Sequence, residues 1–302
     1  MEKKMGFENI TEQAEIGIIG GSGFYQMAGV EDSRYIEMDT PFGKPSERIL
    51  IGNIAGKSCA FISRHGKGHR QNPSEVNYRA NLFALKLLGV KTLISVAAVG
   101  SLEEEKKPMD LVIWDQYFDN TFKREKTYFE KGVVAHVSMA EPTCGSLTGL
   151  AYEKAQALGL DAHKGGTLYN MEGPQFSTRA ESNTYRKLGY NIIGMTQAPE
   201  SKLARELEMC FLPLSFVTDY DCWREETEPV TVEMVIGYLT KNVENAGKLL
   251  VQIIGAMDKE KPACNCNESL KFSIVTNHET IPEETYKVME PVIGKYIKPT
   301  EK

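Results

Sequence analysis

The chain is short of basic charge and has no long apolar run, and each shortage excludes a class of protein. Its 302 residues carry 35 Lys and Arg against 41 Asp and Glu, a net charge of −6. Because binding to a nucleic-acid backbone needs a basic face, nucleic acid is not expected as a partner. No apolar stretch reaches the ~18 residues of a membrane span, and the charged first residues lack the apolar core of a secretory signal. We therefore expect a cytoplasmic protein with no membrane partner.

Cysteine is also scarce, with six residues at positions 59, 144, 210, 222, 264 and 266. Without a secretory signal, these are expected to be reduced thiols. Cys264 and Cys266 form a C-x-C pair, a spacing that redox and metal sites can use. No histidine lies near it at ligand spacing, so the sequence predicts no zinc site and no other metal site. We expect both thiols on the surface of a C-terminal loop.

What the chain does contain is an alternation of apolar strands and amphipathic helices, which predicts an α/β fold with a mixed, largely parallel sheet flanked by helices. A capping box at Thr178 and Glu181 opens one of the helices. No composition shift marks an internal boundary, so residues 15–302 are predicted to form one domain after an N-terminal extension of residues 1–14. The predicted strands cover residues 15–20, 48–54, 58–63, 92–99, 111–118, 191–195 and 210–217, and the main predicted helices cover 74–88, 147–158, 199–208, 231–257 and 282–296.

Three features at the ends of predicted strands would suit an anion. A glycine-rich turn with Ser22 follows the first strand, and its incomplete dinucleotide fingerprint leaves a single phosphate as suitable a ligand as a dinucleotide. Arg64 and His65 follow a second strand, and a guanidinium can grip phosphate in a bidentate mode. Thr196 lies between a third strand and a helix, where a hydroxyl and free N–H groups can bind an anion. Each feature alone is often structural, but together they predict a phosphate site.

The hexapeptide TDYDCW, residues 218–223, is the most informative stretch. Asp219 and Asp221 flank Tyr220 directly after an apolar strand, so both carboxylates can address one edge of a flat polar ligand. An ionised carboxylate accepts hydrogen bonds from an exocyclic amine, and a protonated one donates to a ring nitrogen. A purine is therefore the first ligand to consider. A solvated acidic turn and a D-x-D metal pair are the alternatives that this stretch leaves open.

Eight motifs occur in an order that resembles the trimeric purine nucleoside phosphorylase family: IGIIGGSGFY, RHGKGH, PSEVNYRANLFAL, AVGSL, MAEP, MEGPQFSTRAES, GMTQAPE and TDYDCW. The resemblance runs from about residue 15 to about residue 235, and the motifs MEGPQFSTRAES and TDYDCW are highly specific. Within the family the chain is most similar to the branch that acts on S-methyl-5′-thioadenosine. The resemblance implies reversible phosphorolysis of that nucleoside to adenine and 5-methylthioribose 1-phosphate, in purine and methionine salvage.

The resemblance also implies site residues. Many members of the branch have a threonine where this chain has Ala97, so one hydrogen bond to phosphate, worth about 1 kcal/mol, is missing here. Asp219 would donate at purine N7, with a pKa raised by burial, and Asp221 would hold the N6 edge. The implied phosphate-binding residues are Ser22, Arg64, His65, Ala97, Ala98 and Thr196. The implied nucleoside-binding residues are His136, Met195, Phe176, Asp219, Tyr220 and Asp221, with Ser177, Val232 and Val235 setting specificity at the 5′ end.

His136 would reach a neighbouring subunit's 5′ pocket, in a homotrimer or a dimer of trimers. Phosphate is the nucleophile and a co-substrate, so neither a metal nor an organic cofactor is expected. One alternative is a phosphorylase of the same fold that prefers 5′-methylthioinosine, inosine or adenosine. A second is a metal-dependent glycosyltransferase that uses Asp219 and Asp221 as its D-x-D pair. A third is a nucleoside-binding module without catalysis, against which the anion features argue.

Overall fold

The structure, a computed structural model, describes residues 10–21, 30–224, 232–257 and 264–298, and within the helix that begins at residue 232 it does not describe the side chains of residues 232–236 and 239. The strands are β1 (Ile16–Gly20), β2 (Glu31–Ile36), β3 (Ile49–Ile54), β4 (Lys57–Ser63), β5 (Thr92–Ser101), β6 (Leu111–Ile113), β7 (Gln116–Asp119), β8 (Ala162–Lys164), β9 (Thr167–Asn170), β10 (Ile192–Gly194) and β11 (Cys210–Asp219). The helices are α1 (Tyr78–Leu87), α2 (Gly145–Ala157), α3 (Arg179–Lys187), α4 (Gln197–Glu206), α5 (Val232–Ala256) and α6 (Glu283–Ile293).

The described strands form one 11-stranded mixed sheet. Parallel pairings join β4 to β1, β1 to β5 and β5 to β11, which places the carboxyl ends of these four strands at one edge. The pairs β3–β4, β2–β3, β6–β11 and β5–β10 are antiparallel. The predicted fold class, a largely parallel mixed sheet flanked by helices, is confirmed.

Helices cover both faces of the sheet. One apolar cluster packs α1, α4 and α6 against the first face, with Leu82, Leu203 and Ile293 fully buried. A second cluster packs α2 and α5 against the other face, with Leu150 and Ile253 in its core. The resulting three layers hold the ends of the central strands rigidly in place. None of the described helices is long and apolar enough to cross a membrane.

Several predicted boundaries need correction. The strand predicted over residues 111–118 is two strands. The first, β6, pairs with β11 and β8, whereas the second, β7, pairs with β9. The first helix begins at Tyr78 and not at residue 74, since the Asn77 side chain accepts the Ala80 N–H and caps it. Pro199 lies in the first turn of α4 and does not start it. The exposed edge strand β2 was not predicted, because its sequence EDSRYI lacks an apolar alternation.

Strand β5 has a gap on one side that creates the room for a site. Its residues 92–95 pair with β1, and its residues 100–101 pair with β10, which approaches from the opposite direction. No described strand pairs with residues 96–99 on that side, although β11 pairs along the other. Ala97 is half-buried and Ala98 exposed in the middle of an otherwise buried central strand. The sheet therefore opens at Ala97 and Ala98.

Candidate active site

Several predicted phosphate residues converge on this gap. Arg64 directly follows β4, and its backbone N–H donates to the carbonyl of Gly20 at the end of β1. Thr196 follows β10 and forms the N-cap of α4. The ends of β1, β4 and β10 thus border the gap, as expected for ligand sites at strand ends. Ser22, predicted to bind phosphate from the turn after β1, lies outside the described residues.

Arg64 is 2% exposed and forms a bidentate ion pair with Glu200 of α4, with Nε–Oε1 at 2.5 Å and Nη2–Oε2 at 3.0 Å. It also donates to Ser95 Oγ and to the Val96 carbonyl, each at 3.1 Å. In this structure the bidentate partner of Arg64 is therefore the Glu200 carboxylate and not phosphate. One Nη1 hydrogen has no acceptor among the described residues, so only a single-point contact with phosphate is left.

The Arg64–Glu200 pair belongs to a buried polar network that fixes α4 on the sheet. Ser95 Oγ donates to Glu200 Oε2 at 2.6 Å, and Gln197 Nε2 donates to the Ser95 carbonyl at 2.9 Å. The Gln197 side-chain oxygen accepts from Ser215 Oγ at 2.7 Å and Trp114 Nε1 at 3.0 Å. Because buried charges are tolerated only when they are paired, loss of Glu200 would leave an expensive unpaired cation. The network was not visible in the sequence, since Arg64 and its partner Glu200 are 136 residues apart.

His65 is neutral at physiological pH. Burial and the positive charge of Arg64 lower its pKa to about 4. Its Nδ1 lies 2.9 Å from the Gln71 carbonyl oxygen, so in the neutral ring Nδ1 carries the hydrogen and Nε2 is an acceptor. His69 stacks on the ring at 4.2 Å between centroids. A neutral Nε2 acceptor matches a monoprotonated phosphate, which can donate its own hydrogen.

The beginning of α4 supplies donors on the other side of the gap. The Thr196 side chain is buried and makes no capping hydrogen bond, so its hydroxyl does not serve the helix. The Ala198 N–H is satisfied by Asn170 Oδ1 at 3.1 Å. A helix N-terminus carries partial positive charge and favours an anion. The structure places the Thr196 hydroxyl at a helix start without a capping hydrogen bond, and its contact with phosphate stays a prediction.

Met195, predicted to pack against ribose, is held in place through its backbone carbonyl. Arg124 has a fully buried side chain and donates to the Met195 carbonyl and to the Glu172 carbonyl. The Glu172 carboxylate accepts the Phe122 N–H at 2.7 Å and also the Ser74 hydroxyl. Arg124 and Glu172 were missed by the sequence reasoning, although Glu172 lies within the MEGP motif. Both join the loop after β7 to the loop after β9, next to the gap.

The two aspartates lie at the far end of the gap. Asp219 ends β11, at a register shift of the ladder to β5, and a side chain at Gly100 of β5 would approach Asp219 Oδ1 to 3.0 Å. Ala98 and Gly100 are two strand residues apart, a spacing of about 7 Å, roughly the width of a sugar ring. A nucleoside can therefore place its ribose between the anion residues and the aspartates.

The environment of each aspartate differs. Asp219 Oδ2 accepts from the Thr218 hydroxyl and Oδ1 accepts the Asp221 N–H, both at 2.8 Å. Burial raises the pKa of Asp219 despite these hydrogen bonds. Burial also raises the pKa of Asp221, opposed by the neighbouring Ser182 hydroxyl and increased by the charge of Asp219. Two carboxyl groups so close together, both desolvated, favour a state in which one keeps its proton.

Asp221 has a polar atom that the protein leaves unused. Its backbone lies in the left-handed region at φ 53°, which turns the side chain back toward Gly100. Asp221 Oδ2 and the Ser182 hydroxyl are both buried, and neither makes a hydrogen bond of good geometry among the described residues, although the Ser182 hydroxyl lies near enough to Asp221 to favour its charged form. An unsatisfied buried polar atom costs about 1–3 kcal/mol, which a ligand that donates to it can recover. Ser182 was missed, although it ends the MEGPQFSTRAES motif.

Aromatic side chains fix the loop that carries Asp221. Trp223 is buried, donates from Nε1 to the Ser101 carbonyl at 2.8 Å, and lies under the Arg186 guanidinium at 3.6 Å. Tyr220 packs edge-on against Trp223, and its hydroxyl donates to the Glu104 carbonyl at 3.4 Å. The Tyr220 hydroxyl thus faces a surface loop, so any contact of this residue with the base would come from its ring or backbone.

The residues predicted for the 5′ end are only partly placed. The Ser177 carbonyl accepts from the Cys222 thiol at 3.2 Å, which brings Ser177 to the aspartate loop. Phe176 is 84% exposed. His136 is also exposed, on a segment whose Ala135 bridges to Ile274 of the C-terminal region. Val232 and Val235 lie in the first turn of α5, where the side chains are outside the described part.

Four cysteines converge away from these residues. Their sulfur atoms all lie within 4.8 Å of one another, and they form the four-cysteine cluster, Cys144, Cys210, Cys264 and Cys266. The prediction that both thiols of the C-x-C pair lie on the surface is wrong, because Cys266 is buried and Cys264 half-buried. Among the described residues this is the one group of three or more potential ligands, and Asp219 and Asp221 are not part of it.

The fold and the arrangement of anion and base residues define a nucleoside-processing transferase of the phosphorylase type. The chain belongs to the phosphorylase superfamily, whose family model matches residues 15–255. It is 47% identical over 284 residues to the S-methyl-5′-thioadenosine phosphorylase of Koribacter versatilis, with 94% of this chain and 97% of that protein covered. It is 46% identical over 283 residues to the enzyme of the same name from Geobacter sulfurreducens, with 93% and 99% covered.

Solved structures agree with these relatives. A crystal structure of a methylthioadenosine phosphorylase from an Antarctic soil metagenomic library superimposes with a TM-score of 0.89 at 43% identity, covering 93% of this chain and 99% of that one. The methylthioadenosine phosphorylase of Schistosoma mansoni in complex with adenine gives a TM-score of 0.77 at 34% identity, covering 86% and 96%. The resemblance stated from the motifs is confirmed at the level of the family.

Proposed function

We propose that this protein catalyses the reversible phosphorolysis of S-methyl-5′-thioadenosine to adenine and 5-methylthioribose 1-phosphate. The observation that carries the choice of base is the buried, unpartnered Asp221 Oδ2 beside a second desolvated carboxyl. The N6 amine of adenine donates a hydrogen bond there. The oxygen of a 6-oxopurine would instead face a carboxylate, and both acceptors would stay unpaired. Relatives at 46–47% identity bear the name of this activity.

Phosphate attack and departure of the base take place at different positions along β5. A phosphate oxygen attacks ribose C1′ at Ala97 and Ala98, where the sheet is open, with His65 and Thr196 as neutral partners and Arg64 supplying one N–H. The bond from C1′ to N9 breaks, and negative charge accumulates on the leaving base. Asp219, which burial predisposes to hold a proton, donates at N7 and neutralises that charge. Phosphate serves as co-substrate, and no metal or organic cofactor enters this scheme.

The 5′ end of the substrate is completed by a neighbouring copy of the chain in this proposal. Phe176 and His136 are exposed in one protomer, which leaves both side chains accessible to a neighbouring copy. A homotrimer would bring His136 of one protomer to the methylthio pocket of the next, where the sequence predicts that Ser177, Val232 and Val235 set specificity. A cytoplasmic location is part of the same proposal.

Initial rates on three nucleosides test the choice of substrate. At saturating phosphate and without added metal, kcat/KM should be highest for S-methyl-5′-thioadenosine and lower for adenosine, which lacks the apolar 5′ group. For 5′-methylthioinosine it should be lower by roughly 10⁴-fold, because of the unpaired acceptors. Equal kcat/KM values for the adenine and hypoxanthine nucleosides would contradict the role of the two aspartates.

A further inference from the structure

The four-cysteine cluster brings together thiols from distant parts of the chain. Cys144 is the N-cap of α2, Cys210 begins β11, and Cys264 lies just before a short 3₁₀ turn that Cys266 begins. Three separate parts of the chain thus deliver their sulfur atoms to one point. Cys210 Sγ and Cys264 Sγ are 3.4 Å apart, and all four sulfur atoms lie within 4.8 Å of one another.

We propose that the four-cysteine cluster binds one Zn²⁺ as a tetrahedral tetrathiolate site that fastens the C-terminal region to the core. With Zn–S bonds of about 2.3 Å, a tetrahedron has sulfur atoms about 3.8 Å apart. The observed spacings bracket that distance. Four mutually close sulfur atoms meet the need of one tetrahedral ion, whereas two disulfides would need closeness only within each pair.

The surroundings suit such an ion. Cys144 and Cys266 are at most 5% exposed and belong to the apolar cluster between α2, α5 and the sheet, so water is largely excluded. Cys144 stands at the positive end of the α2 dipole, which stabilises a thiolate. The positive charge of Arg205 lies close to Cys266. A tetrathiolate zinc carries a net charge of −2, which Arg205 partly balances.

Binding is a proton-releasing step. The S–H bonds of the thiols break, four Zn–S bonds form, and the displaced protons pass to solvent, so no oxidant or reductant is involved. The bound ion would join the beginnings of α2 and β11 to residues 264–298. That region packs Leu270 and Ile293 into the core and carries the Ile274 bridge to Ala135, next to His136. The site is therefore structural, and it supports the segment assigned to the neighbouring active site.

Cobalt substitution tests the proposal on the full-length protein. Chelator-treated, reduced protein is titrated with Co²⁺ without oxygen, and we expect one Co²⁺ per chain with the intense thiolate-to-cobalt bands and visible bands of a tetrahedral tetrathiolate. One equivalent of Zn²⁺ should abolish the bands, and zinc should raise the thermal unfolding midpoint by several degrees. Cys266→Ser should lose the tetrathiolate spectrum. The control Cys59→Ser, at a buried thiol of β4 outside the cluster, should retain it.

Two results would overturn the site. The first is wild-type protein that takes up neither Co²⁺ nor Zn²⁺ stoichiometrically while all six thiols react with an alkylating agent after unfolding. The second is protein purified without reductant whose cluster cysteines resist alkylation in denaturant with chelator, which would identify disulfides in place of a metal. Because both are measured on the wild type, the conclusion does not depend on the folding of a variant.

Discussion

At the scale of single residues, the proposed recognition of adenine depends on the different states of two adjacent carboxyl groups, Asp219 and Asp221. Asp219 accepts two hydrogen bonds from the protein, whereas Asp221 keeps one buried oxygen without a partner. Burial raises the pKa of both. A proton held on Asp219 and an acceptor left open on Asp221 form a pattern that matches N7 and the N6 amine of adenine.

Replacement of Asp219 by asparagine should lower kcat/KM for S-methyl-5′-thioadenosine by about 10²–10⁴-fold, the usual contribution of a general acid. Because the pKa of Asp219 is raised, the wild-type rate should fall as pH rises through that pKa and the proton is lost. The Asp219→Asn variant should lack this fall. A pH–rate profile of both proteins checks the prediction, and unchanged turnover in the variant would contradict the assignment.

Gly100 has a role that a single methyl group can test. A Cβ at this position would lie 3.0 Å from both Asp219 Oδ1 and Ile193 Cγ2, so Gly100→Ala should displace the carboxylate by a few tenths of an ångström. We expect kcat/KM to fall by roughly tenfold, because small misplacements of catalytic groups are costly. Gly255→Ala is the matched control, since its Cβ would meet Ala55 at an ordinary 3.5 Å. Equal activities of the two variants would exclude the positioning role.

At the scale of elements, α4 connects the site to the core. Its N-terminus borders the gap in the sheet, its Glu200 pairs with Arg64, and its last residue, Glu206, accepts the Tyr128 N–H and the Thr127 hydroxyl at 2.7 Å each. Burial raises the pKa of Glu206 to about 7 in spite of these hydrogen bonds. The carboxyl therefore holds its proton more tightly in the folded protein than in the unfolded chain.

This shift predicts a pH dependence of stability with a definite sign. Between the ordinary pKa of 4.5 and the folded value of about 7, the native state binds more protons, so the free energy of unfolding should fall as pH rises across this window. Glu206→Gln should show a shallower fall over the same window. Urea unfolding of both proteins from pH 4.5 to 8 measures the difference. Parallel curves would show that Glu206 does not titrate in this way.

The elements also show what the sequence could and could not predict. The central strands β1, β3, β4, β5, β10 and β11, the capping box at Thr178 and the place of Asp219 at a strand end followed from local patterns, and the structure has them. The gap beside Ala97 could not be predicted, because it arises where β1 ends and β10 arrives from a distant part of the chain. The same holds for the Arg64–Glu200 pair, which changes the expected contact of Arg64 with phosphate.

At the scale of the whole molecule, exposed residues assigned to the nucleoside imply a shared site. His136 lies on the surface and is tied to the C-terminal region through the bridge between Ala135 and Ile274. No contact between His136 and the aspartate loop is formed among the described residues of one chain. The proposed homotrimer explains why a residue so exposed accompanies the catalytic motifs.

Subunit mixing tests this arrangement. His136→Ala should raise KM for S-methyl-5′-thioadenosine, whereas the exposed control His278→Ala should not. When His136→Ala and Asp219→Asn proteins are mixed and allowed to exchange subunits, activity should exceed the sum of the separate proteins. The reason is that an intact Asp219 then meets an intact His136 from a neighbour. A strictly additive mixture, or a monomer in sedimentation, would contradict the shared site.

In the proposed reaction phosphate, and not water, takes the ribosyl group from adenine at the opening beside β5. The most direct measurement is adenine release from S-methyl-5′-thioadenosine with and without inorganic phosphate, in the absence of added metal, with the sugar product followed by phosphorus NMR. We expect adenine to be released only when phosphate is present, with one 5-methylthioribose 1-phosphate formed for each adenine. Equal release without phosphate, or release only after a divalent metal is added, would contradict it.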